Sequence, residues 1–246
     1  MNVSVCMASY NGGKYIGKQL ESIIKQLDEN DEIIIVDDCS TDNSLDMIRS
    51  INDKRISIFL NESNKGHVFS FARAISLATK EIIFMSDQDD IWIDNRVALM
   101  KNELLNSNAL LISSNSDFID SDGVKIDYIV DGVHSNSSEK NLKNIIDIFA
   151  GKGNYYGCAM ALKKELIPVI LPIPAYVESH DLWIALAANI LKSNLHLDEA
   201  TLERRVHGSN ASILKRKLML KLWSRVVFVR SILEIFNRKL SLKKKI

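Results

Sequence analysis

Three aspartates crowd into four positions where an apolar run ends. The stretch 82–93 reads IIFMSDQDDIWI, which places Asp87, Asp89 and Asp90 between two apolar segments. Two carboxylates one residue apart on a turn can hold one hard divalent cation, with water and phosphate oxygens in its other positions. Three bare carboxylates would repel one another, and a cation would relieve that repulsion. The turn therefore predicts a Mg²⁺ or Mn²⁺ site, and the alternative is a solvated acidic loop.

A second acidic pair, Asp37 and Asp38, follows another apolar run in the stretch IIIVDDCSTDNS. A carboxylate at a strand end can accept the imide N–H of a pyrimidine base, while Ser40 and Thr41 can cap the next helix. The alternative is that these residues only form a turn and a cap. Because paired acids follow strands in many α/β proteins, this pair indicates nucleotide binding only together with other motifs.

The elements that must position these aspartates alternate along the first half of the chain. Short apolar runs at 3–8, 32–36, 56–60 and 81–85 are each followed by a polar turn and a segment with helical spacing. This pattern predicts an α/β fold with a mostly parallel central sheet and helices on both faces. Ligands bind such sheets outside the carboxyl ends of the strands. We therefore expect the polar clusters after the first, second and fourth strands to converge on one site.

The second half of the chain has a less regular pattern. It predicts strands over 110–114, 154–162 and 195–197, a helix over 181–191, a mobile polar loop over 135–140, and a helix from 214 onward. No internal repeat and no long linker is visible. We expect one globular domain with a helical extension at its C-terminal end.

The charges are balanced in number but not in position. Lys plus Arg and Asp plus Glu each number 31, yet the segment 215–246 holds eleven basic residues and only one acid, Glu234. The segment is also apolar, with Leu218, Leu222, Trp223, Val226, Val229, Ile232, Leu233 and Phe236 able to share one helical face. Such a basic amphipathic helix is typical of anionic membrane surfaces. The alternatives are that this helix packs on the rest of the protein or on the second subunit of a homodimer. Nucleic acid is not an expected partner, because no recognition module accompanies the charge.

The cysteines and the lengths of the apolar runs indicate in which cellular compartment the protein is expected. Cys6, Cys39 and Cys158 are far apart and form no C-x-x-C pair, so neither a disulfide framework nor a zinc site is indicated. No signal peptide is visible. No apolar run reaches the roughly 18 to 20 residues of a membrane span. We expect a cytoplasmic protein, peripheral at the inner face of the cell membrane.

Seven stretches together resemble the family 2 glycosyltransferases with the GT-A fold. They are SVCMASYNGGKYI, IIIVDDCSTDNS, NKGHVFSFARAI, FMSDQDDIWIDNRV, YYGCAMALKKEL, SHDLWIALAANIL and LDEATLERRVHGSNAS, and they cover roughly 1–212. Within the family, the SDQDDIW, HDLW and R-x-H-x-x-N blocks are most similar to bacterial polysaccharide and O-antigen rhamnosyltransferases. The resemblance implies a nucleotide-diphospho-sugar transferase over 1–213. Its nucleotide-sugar half would be 1–105, its acceptor half 106–213, and 214–246 the appended helix.

The resemblance also implies a role for each matching residue. The nucleotide-sugar would be bound by Ala8, Tyr10, Asp38, Lys65, Asp87, Gln88, Arg205 and His207. The divalent metal would be held by Asp89 and His207. The acceptor and sugar pocket would include Asp90, Trp92, Gly157, His180 and Trp183. Asp181 would be the catalytic base, although an isolated aspartate at a helix start is also a common N-cap.

The implied reaction is an inverting, metal-dependent sugar transfer from dTDP-rhamnose or a UDP-hexose to a lipid-linked oligosaccharide. Two other functions remain open. A nucleotidyltransferase would also bind a nucleotide and a metal, but residues 8–20 lack the Gly-rich loop with Arg and Lys that a triphosphate requires. The second alternative is a nucleotide-sugar-binding protein that has lost the reaction.

Overall fold

The computed structural model describes residues 1–128, 130–207 and 218–243. The strands are β1 (Val3–Ser9), β2 (Glu32–Asp37), β3 (Ile56–Leu60), β4 (Ile82–Ser86), β5 (Ile91–Trp92), β6 (Leu111–Ile119), β7 (Met160–Lys163) and β8 (Asn194–Arg205). The α-helices are α1 (Ile16–Ile24), α2 (Ser44–Ser50), α3 (His67–Leu77), α4 (Arg96–Leu105), α5 (Asn141–Ala150), α6 (Ile167–Ile170), α7 (His180–Leu191) and α8 (Leu218–Lys243). Short 3₁₀ turns lie at Ser135–Ser137, Gly157–Ala159 and Lys164–Leu166.

The strands form one eight-stranded sheet in the order β3-β2-β1-β4-β7-β6-β8-β5. Strands β1 to β4 run parallel, β7 runs antiparallel to both of its neighbours, and β6 pairs with β8 in parallel. The predicted fold class is confirmed. Parallel strands direct their carboxyl ends to the same edge, so the turns that leave β1, β2 and β4 lie together there.

The sheet is covered on both faces because its central strands are apolar on both sides. In β1, Val3, Val5 and Met7 belong to one buried core, with α1 and α4, while Cys6 belongs to the other. The second core packs α3, α7 and α8 against the sheet, through residues such as Phe71. Strands that are apolar on both faces are typical of a sheet with two helical layers.

The second half of the sheet departs from the sequence prediction. Strand β7 begins at Met160 rather than at residue 154, and β8 extends over Asn194–Arg205 rather than over three residues. Strand β6 likewise continues to Ile119. The residues of β6 and β8 that the prediction missed are mostly polar. The pairing of these two strands also shifts register around Asn115, which interrupts the alternation of apolar and polar residues. The predicted mobile loop 135–140 contains a 3₁₀ turn that is hydrogen-bonded to β8.

Helix α8 packs against the body along one of its faces. Ile235 is fully buried in the second core. Arg238 donates to the carbonyls of Val169 at 3.0 Å and Pro172 at 2.8 Å, and Lys239 donates to Ile190 at 3.1 Å. The predicted broad apolar face is therefore divided between two sides of the helix. Ile232 packs toward the body, whereas an outward stripe is exposed and consists of Trp223, Val226, Val229, Leu233, Phe236 and Leu240.

The start of the predicted C-terminal helix, 214–217, lies outside the described residues. Within the residues that are described, no helix is long and apolar enough to cross a membrane.

We expect the Ile235→Ala substitution to lower the free energy of unfolding by about 2–5 kcal/mol, because it opens a cavity between α8 and the core. The matched control is Leu233→Ala, two residues away on the exposed stripe, where the side chain is 61% exposed. That control should change the free energy by no more than about 0.5 kcal/mol. Urea denaturation measures both, and equal losses would contradict the docking of α8.

Candidate active site

The loops that follow β1 and β2 are joined by backbone-to-side-chain hydrogen bonds. The N–H of Asn11 donates to Ser40 Oγ at 2.9 Å, and the N–H of Gly12 donates to Ser44 Oγ at 2.8 Å. In return the N–H of Thr41 donates to Asn11 Oδ1 at 2.8 Å. Asp37, predicted as a turn or nucleotide residue, accepts from both the N–H and the hydroxyl of Ser40. These bonds make a rigid floor at the carboxyl edge of the sheet.

Gln88 links this floor to the aspartate turn. Its amide oxygen accepts from the N–H of Tyr10 at 2.8 Å, and its amide nitrogen donates to the Tyr10 carbonyl at 3.0 Å. Both polar atoms of the side chain are thus engaged by the backbone, so the predicted contact of Gln88 with the nucleotide-sugar is replaced by a positioning role. The Tyr10 side chain is 46% exposed above this joint, and Ala8 is half-buried below it on β1.

Asp38 is held by three donors at the start of α3. Its Oδ1 accepts from Asn61 Nδ2 at 2.7 Å and from the N–H of Lys65 at 2.8 Å, while Oδ2 accepts from the N–H of Gly66 at 2.7 Å. A carboxylate has about four acceptor positions, so one remains on Oδ2. Lys65, predicted to bind the nucleotide-sugar, contributes its backbone here and exposes its side chain.

The turn after β4 brings two carboxylates and a thiol together. Ligand atoms of Asp87, Asp90 and Cys158 lie within 4.8 Å of one another. Burial, with Asp90 and Asp89 nearby, raises the pKa of Asp87 to about 8. Burial, with Asp89 nearby, raises the pKa of Asp90 to about 6. Carboxylates in this state lack compensating positive charge, and a divalent cation would supply it.

The donor set at this turn fits a hard cation through its oxygens. Burial raises the pKa of Cys158 well above its usual value, so the thiol stays protonated and is a poor ligand. Asp89 Oδ2 lies 2.8 Å from His207 Nε2, so the two predicted metal residues are adjacent. The residues that could hold Mn²⁺ or Mg²⁺ are therefore Asp87, Asp89 and Asp90, with His207 beside them.

Arg205 is placed differently from the prediction. Only 4% of it is exposed, its Nε donates to the Asp89 carbonyl at 2.8 Å, and its Nη1 donates to the Asp120 carbonyl at 2.9 Å. Its backbone N–H donates to Asp90 Oδ1 at 2.9 Å. The guanidinium therefore ties the aspartate turn to the ends of β6 and β8. These carbonyls engage two of its nitrogens, so Arg205 positions the turn, and its expected contact with the diphosphate stays a prediction.

Arg204 was not among the predicted site residues. Successive side chains of a strand point to opposite faces, so Arg204 and its neighbour Arg205 have different surroundings. The Arg204 guanidinium lies 3.8 Å above the ring of Tyr156 and is close enough to Asp87 and Asp90 to lower their pKa values. The sequence shows two adjacent arginines, Arg204 and Arg205, but it does not indicate which of them lies near the aspartates.

Two of the predicted pocket residues, Trp92 and Trp183, belong to the core instead. Trp92 is 1% exposed and packs beneath the Arg96 guanidinium, 4.8 Å away. Trp183 is 2% exposed, and its indole N–H donates to the Ile170 carbonyl at 2.9 Å. Neither side chain presents a surface to a ligand, so both predictions are corrected. Trp92, on the edge strand β5, is buried in the core that contains α1 and α4, whereas Trp183, on α7, is buried in the second core.

The start of α7 carries His180 and Asp181. His180 stacks on Phe71 with ring centroids 4.2 Å apart, and a Cβ on Gly157 would lie only 2.7 Å from its Nε2, so a glycine is required there. The N-cap of α7 is Ser179, which leaves Asp181 in the first helical turn, half-buried. Asp181 is close enough to contribute to the raised pKa of Asp87. The structure therefore places the predicted base near the predicted metal turn.

A family model described as glycosyl transferase family 2 matches residues 4–169. The chain belongs to glycosyl transferase family 2. This agrees with the predicted family, and the solved structures that resemble it have the GT-A fold. Staphylococcus aureus TarS in complex with UDP-GlcNAc has a TM-score of 0.67, 18% identity, and coverage of 98% of this chain and 73% of TarS. A mannosyltransferase from Pyrobaculum calidifontis, in complex with GDP-Man and Mn²⁺, has a TM-score of 0.63 and 15% identity over 98% of this chain and 75% of that protein.

Curated family 2 relatives are glycosyltransferases. An uncharacterized glycosyltransferase of Nostoc sp. is 26% identical over 222 residues, which are 85% of this chain and 66% of the relative. Escherichia coli WfgD, a UDP-Glc:α-D-GlcNAc-diphosphoundecaprenol β-1,3-glucosyltransferase, is 31% identical over 50% of this chain and 48% of its own length. Shigella flexneri RfbG, a dTDP-rhamnosyl transferase, is 36% identical over 44% of this chain and 40% of its own length. The matched region thus spans less than two thirds of each of these relatives.

We expect Asp87→Asn to raise the melting temperature in metal-free buffer, because it removes one of the carboxylates that repel one another. The same change should reduce the rise in melting temperature that MnCl₂ produces in the wild type, since one oxygen ligand of lower charge is left. Asp46→Asn, on the exposed surface of α2, is the control and should leave both values unchanged. An undiminished response to MnCl₂ in Asp87→Asn would contradict a cation site at this turn.

Burial makes His180 a source of pH-dependent stability. Burial lowers its pKa to about 4, with His67 acting in the same direction and Asp181 in the opposite one. The unfolded chain, with a histidine pKa of about 6.5, binds more protons between these values, so the free energy of unfolding falls as the pH falls from 6.5 toward 4. Between pH 7 and pH 5 the wild type should lose about 2 kcal/mol more than His180→Gln.

Urea denaturation at the two pH values measures this difference. His134→Gln, whose imidazole is 65% exposed, is the matched control and should lose as much free energy as the wild type. If His180→Gln also loses as much, the imidazole is not the buried neutral group described above.

Proposed function

We propose that the protein transfers a sugar from a nucleoside-diphosphate sugar to a hydroxyl group, with inversion at the anomeric carbon. The observation that carries the proposal is the placement of Asp181 near Asp87, whose ligand oxygen lies beside that of Asp90. The aspartate turn is suited to a charged diphosphate with a cation. Across the proposed crevice, Asp181 is a half-buried carboxylate that can take a proton.

The donor half of the site is residues 1–105. Tyr10 is exposed at the mouth of the crevice, where its ring can stack on a nucleobase. The remaining acceptor position of Asp38 Oδ2 is suited to the imide N–H of a pyrimidine, which favours a UDP- or dTDP-sugar. The half-buried Ala8 leaves the base without a side-chain hydroxyl from that position of β1.

The diphosphate and the cation would lie at the aspartate turn. Asp87, Asp89 and Asp90, with His207, are the residues that would hold Mn²⁺ or Mg²⁺, and a bound cation would stabilise the charge that develops on the leaving phosphate. Arg204 contributes fixed positive charge on the same side. Arg205 keeps the turn in place through its contacts with two carbonyls.

Asp181 would deprotonate the acceptor hydroxyl as that oxygen attacks the anomeric carbon from the face opposite the leaving diphosphate. Its Oδ1 accepts from the N–H of Leu182 at 2.8 Å and contacts the hydroxyl of Ser179, which fixes the side chain. Such general-base assistance is typically worth about 10²- to 10⁴-fold in rate.

The relatives indicate the substrate classes. WfgD is named for a UDP-glucose donor and a diphosphoundecaprenol-linked acceptor, and RfbG for a dTDP-rhamnosyl transfer. We propose that this protein uses dTDP-rhamnose or a UDP-hexose and extends a lipid-linked oligosaccharide of a bacterial surface polysaccharide. The acceptor would enter over residues 106–213.

A lipid-linked acceptor requires the enzyme to work at a membrane surface. The outward stripe of α8 is apolar and consists of Trp223, Val226, Val229, Leu233, Phe236 and Leu240. Basic residues precede α8 at 215–217 and follow its described end at 244–245. We propose that the stripe lies against an anionic membrane at the cytoplasmic face, where each Lys or Arg adds about 1 kcal/mol to binding.

We expect Asp181→Asn to lower kcat/KM for transfer by at least about 100-fold, while the KD for the nucleotide-sugar stays within about twofold. The measurement is release of nucleoside diphosphate from a panel of UDP-, dTDP- and GDP-sugars with MnCl₂ and extracted lipid-linked acceptor. Asp46→Asn is the matched control and should retain the wild-type rate. If Asp181→Asn kept full transfer, the base would be another residue.

The same panel separates the alternatives. Selective use of dTDP-rhamnose supports the rhamnosyl assignment, and use of a UDP-hexose supports the hexosyl one. Binding of a nucleotide-sugar without any turnover would favour the binding protein.

We expect Leu233→Glu to reduce cosedimentation with phosphatidylserine vesicles several-fold, because it places a negative charge in the apolar stripe. Asn237→Glu adds the same charge at an exposed polar position of α8 and should reduce binding less. If the wild type does not cosediment with vesicles and instead forms a dimer that Leu233→Glu dissociates, the stripe is a subunit interface.

A further inference from the structure

A cavity of about 530 Å³ lies apart from the aspartate turn, between α5, the segment 131–137 and β8. Its size is in the range of small-molecule sites. The residues that matter for its chemistry are Asp131, Lys140, Asp147, Lys152, Tyr155 and His196. None of them is part of the donor site described above.

The wall of this cavity is held in place by specific contacts. The N–H of Val133 donates to Asn115 Oδ1 at 2.8 Å, and Asn115 Nδ2 donates back to the Val133 carbonyl at 3.0 Å. A Cβ on Gly132 would collide with the Asn115 amide, so the segment approaches β6 more closely than other residues allow. The N–H of His196 donates to Ser138 Oγ at 2.9 Å. The segment 131–138 is therefore fixed to β6 and β8.

The floor of the cavity is a neutral polar network. His196 is 2% exposed, and its Nε2 lies 2.9 Å from the hydroxyl of Tyr155 and 2.7 Å from Asn194 Nδ2. Asn189 Nδ2 also donates to the Tyr155 hydroxyl, at 3.2 Å. These groups are hydrogen-bonded to one another, so the floor adds no fixed charge and the hydrogen bonds to a ligand must come from the rim.

The rim carries charges of both signs. Lys140 and Lys152 are exposed donors, and Asp131 is an exposed acceptor. Lys143 is paired with Asp147 at 2.5 Å, so it contributes little net charge. Two lysines then remain against one aspartate, an excess of one positive charge, whereas a phosphate group carries about two negative charges. The hydroxyl groups of a sugar both donate and accept hydrogen bonds, so a rim with donors and an acceptor suits a polyhydroxylated, uncharged ligand.

The cavity is connected to the candidate active site by one short segment. Tyr155 is at the floor of the cavity, and Cys158 lies beside Asp87 and Asp90. Two residues of chain separate Tyr155 from Cys158, so their Cα atoms are at most about 11 Å apart. A short oligosaccharide can cover that distance.

We propose that this cavity binds a sugar residue of the acceptor, away from the hydroxyl that reacts. The inference rests on the proposed function for its place in the reaction, but the cavity can be tested without any turnover. In this proposal, residues 131–155 recognise the acceptor glycan beyond its terminal sugar.

The test is saturation-transfer NMR with methyl glycosides of hexoses, 6-deoxyhexoses and N-acetylhexosamines, together with phosphorus-31 line broadening of inorganic pyrophosphate as the anion probe. The blocking variant is Asn136→Trp, because Asn136 is an exposed residue that lines the cavity. The matched control is Leu142→Trp, which adds the same bulk on α5 at a side chain that is 73% exposed and outside the lining. Melting temperatures of both variants establish that they are folded.

We expect at least one glycoside to receive saturation from the wild type and from Leu142→Trp, with at least a tenfold weaker signal from Asn136→Trp. Pyrophosphate should show no dependence on the variant. The proposal is overturned if no glycoside binds, if glycoside binding survives in Asn136→Trp, or if only pyrophosphate binding depends on that position.

Release of nucleoside diphosphate without acceptor, measured on the same three proteins, separates this proposal from the proposed function. It should be equal in all three, because Asn136 is not part of the donor site. If the wild type turns over no nucleotide-sugar but binds a glycoside in the cavity, the proposed transferase function is wrong and the proposed sugar-binding cavity is supported.

Discussion

The crowding of carboxylates after β4 is the electrostatic problem around which the site is built. Burial and mutual repulsion raise the pKa of Asp87 to about 8 and that of Asp90 to about 6, so the turn is unfavourable without positive charge. The chain supplies part of that charge through Arg204 and holds the turn in place through Arg205. A divalent cation would provide the remainder, and a cation held there would in turn attract the diphosphate of a donor.

Rigidity at the carboxyl edge of the sheet comes from side chains that bind backbone groups. Gln88 and Asp38 bind the main chain of a neighbouring loop, and Asp37 accepts from the main chain of its own loop. Loops at the end of a parallel sheet are long and polar, so without such bonds their buried N–H groups would lack partners. The same bonds fix the distance between the nucleotide face and the aspartate turn. Several residues that resemble ligand contacts are therefore positioning residues, which prepare the site before a ligand arrives.

The acceptor half is organised by different means. Strands β6 and β8 run in parallel over their whole length, with a shift around Asn115 that also fixes the segment 131–138. Helix α7 places Asp181 at the crevice with its first turn, while its later turns and α8 complete the second core. The cavity beside α5 is lined by none of the residues of the aspartate turn.

The sequence by itself determined the α/β class, the first four strands and the turns that carry the chemistry, because alternating apolar runs and local turn residues specify them within short windows. The family resemblance of the sequence also predicted roles for Asp87 and Asp181, which the structure places near each other. Only the tertiary structure decided that Arg204 rather than Arg205 faces the acids, that Gln88 binds the backbone, and which side of α8 is buried. Those outcomes depend on contacts between residues far apart in the chain, such as Arg205 and Asp90, which are 115 residues apart. The local pattern of apolar and polar residues carries no information about such distant pairs. Either of two adjacent side chains is compatible with that pattern, and only the partner strand or helix decides which of them makes the contact.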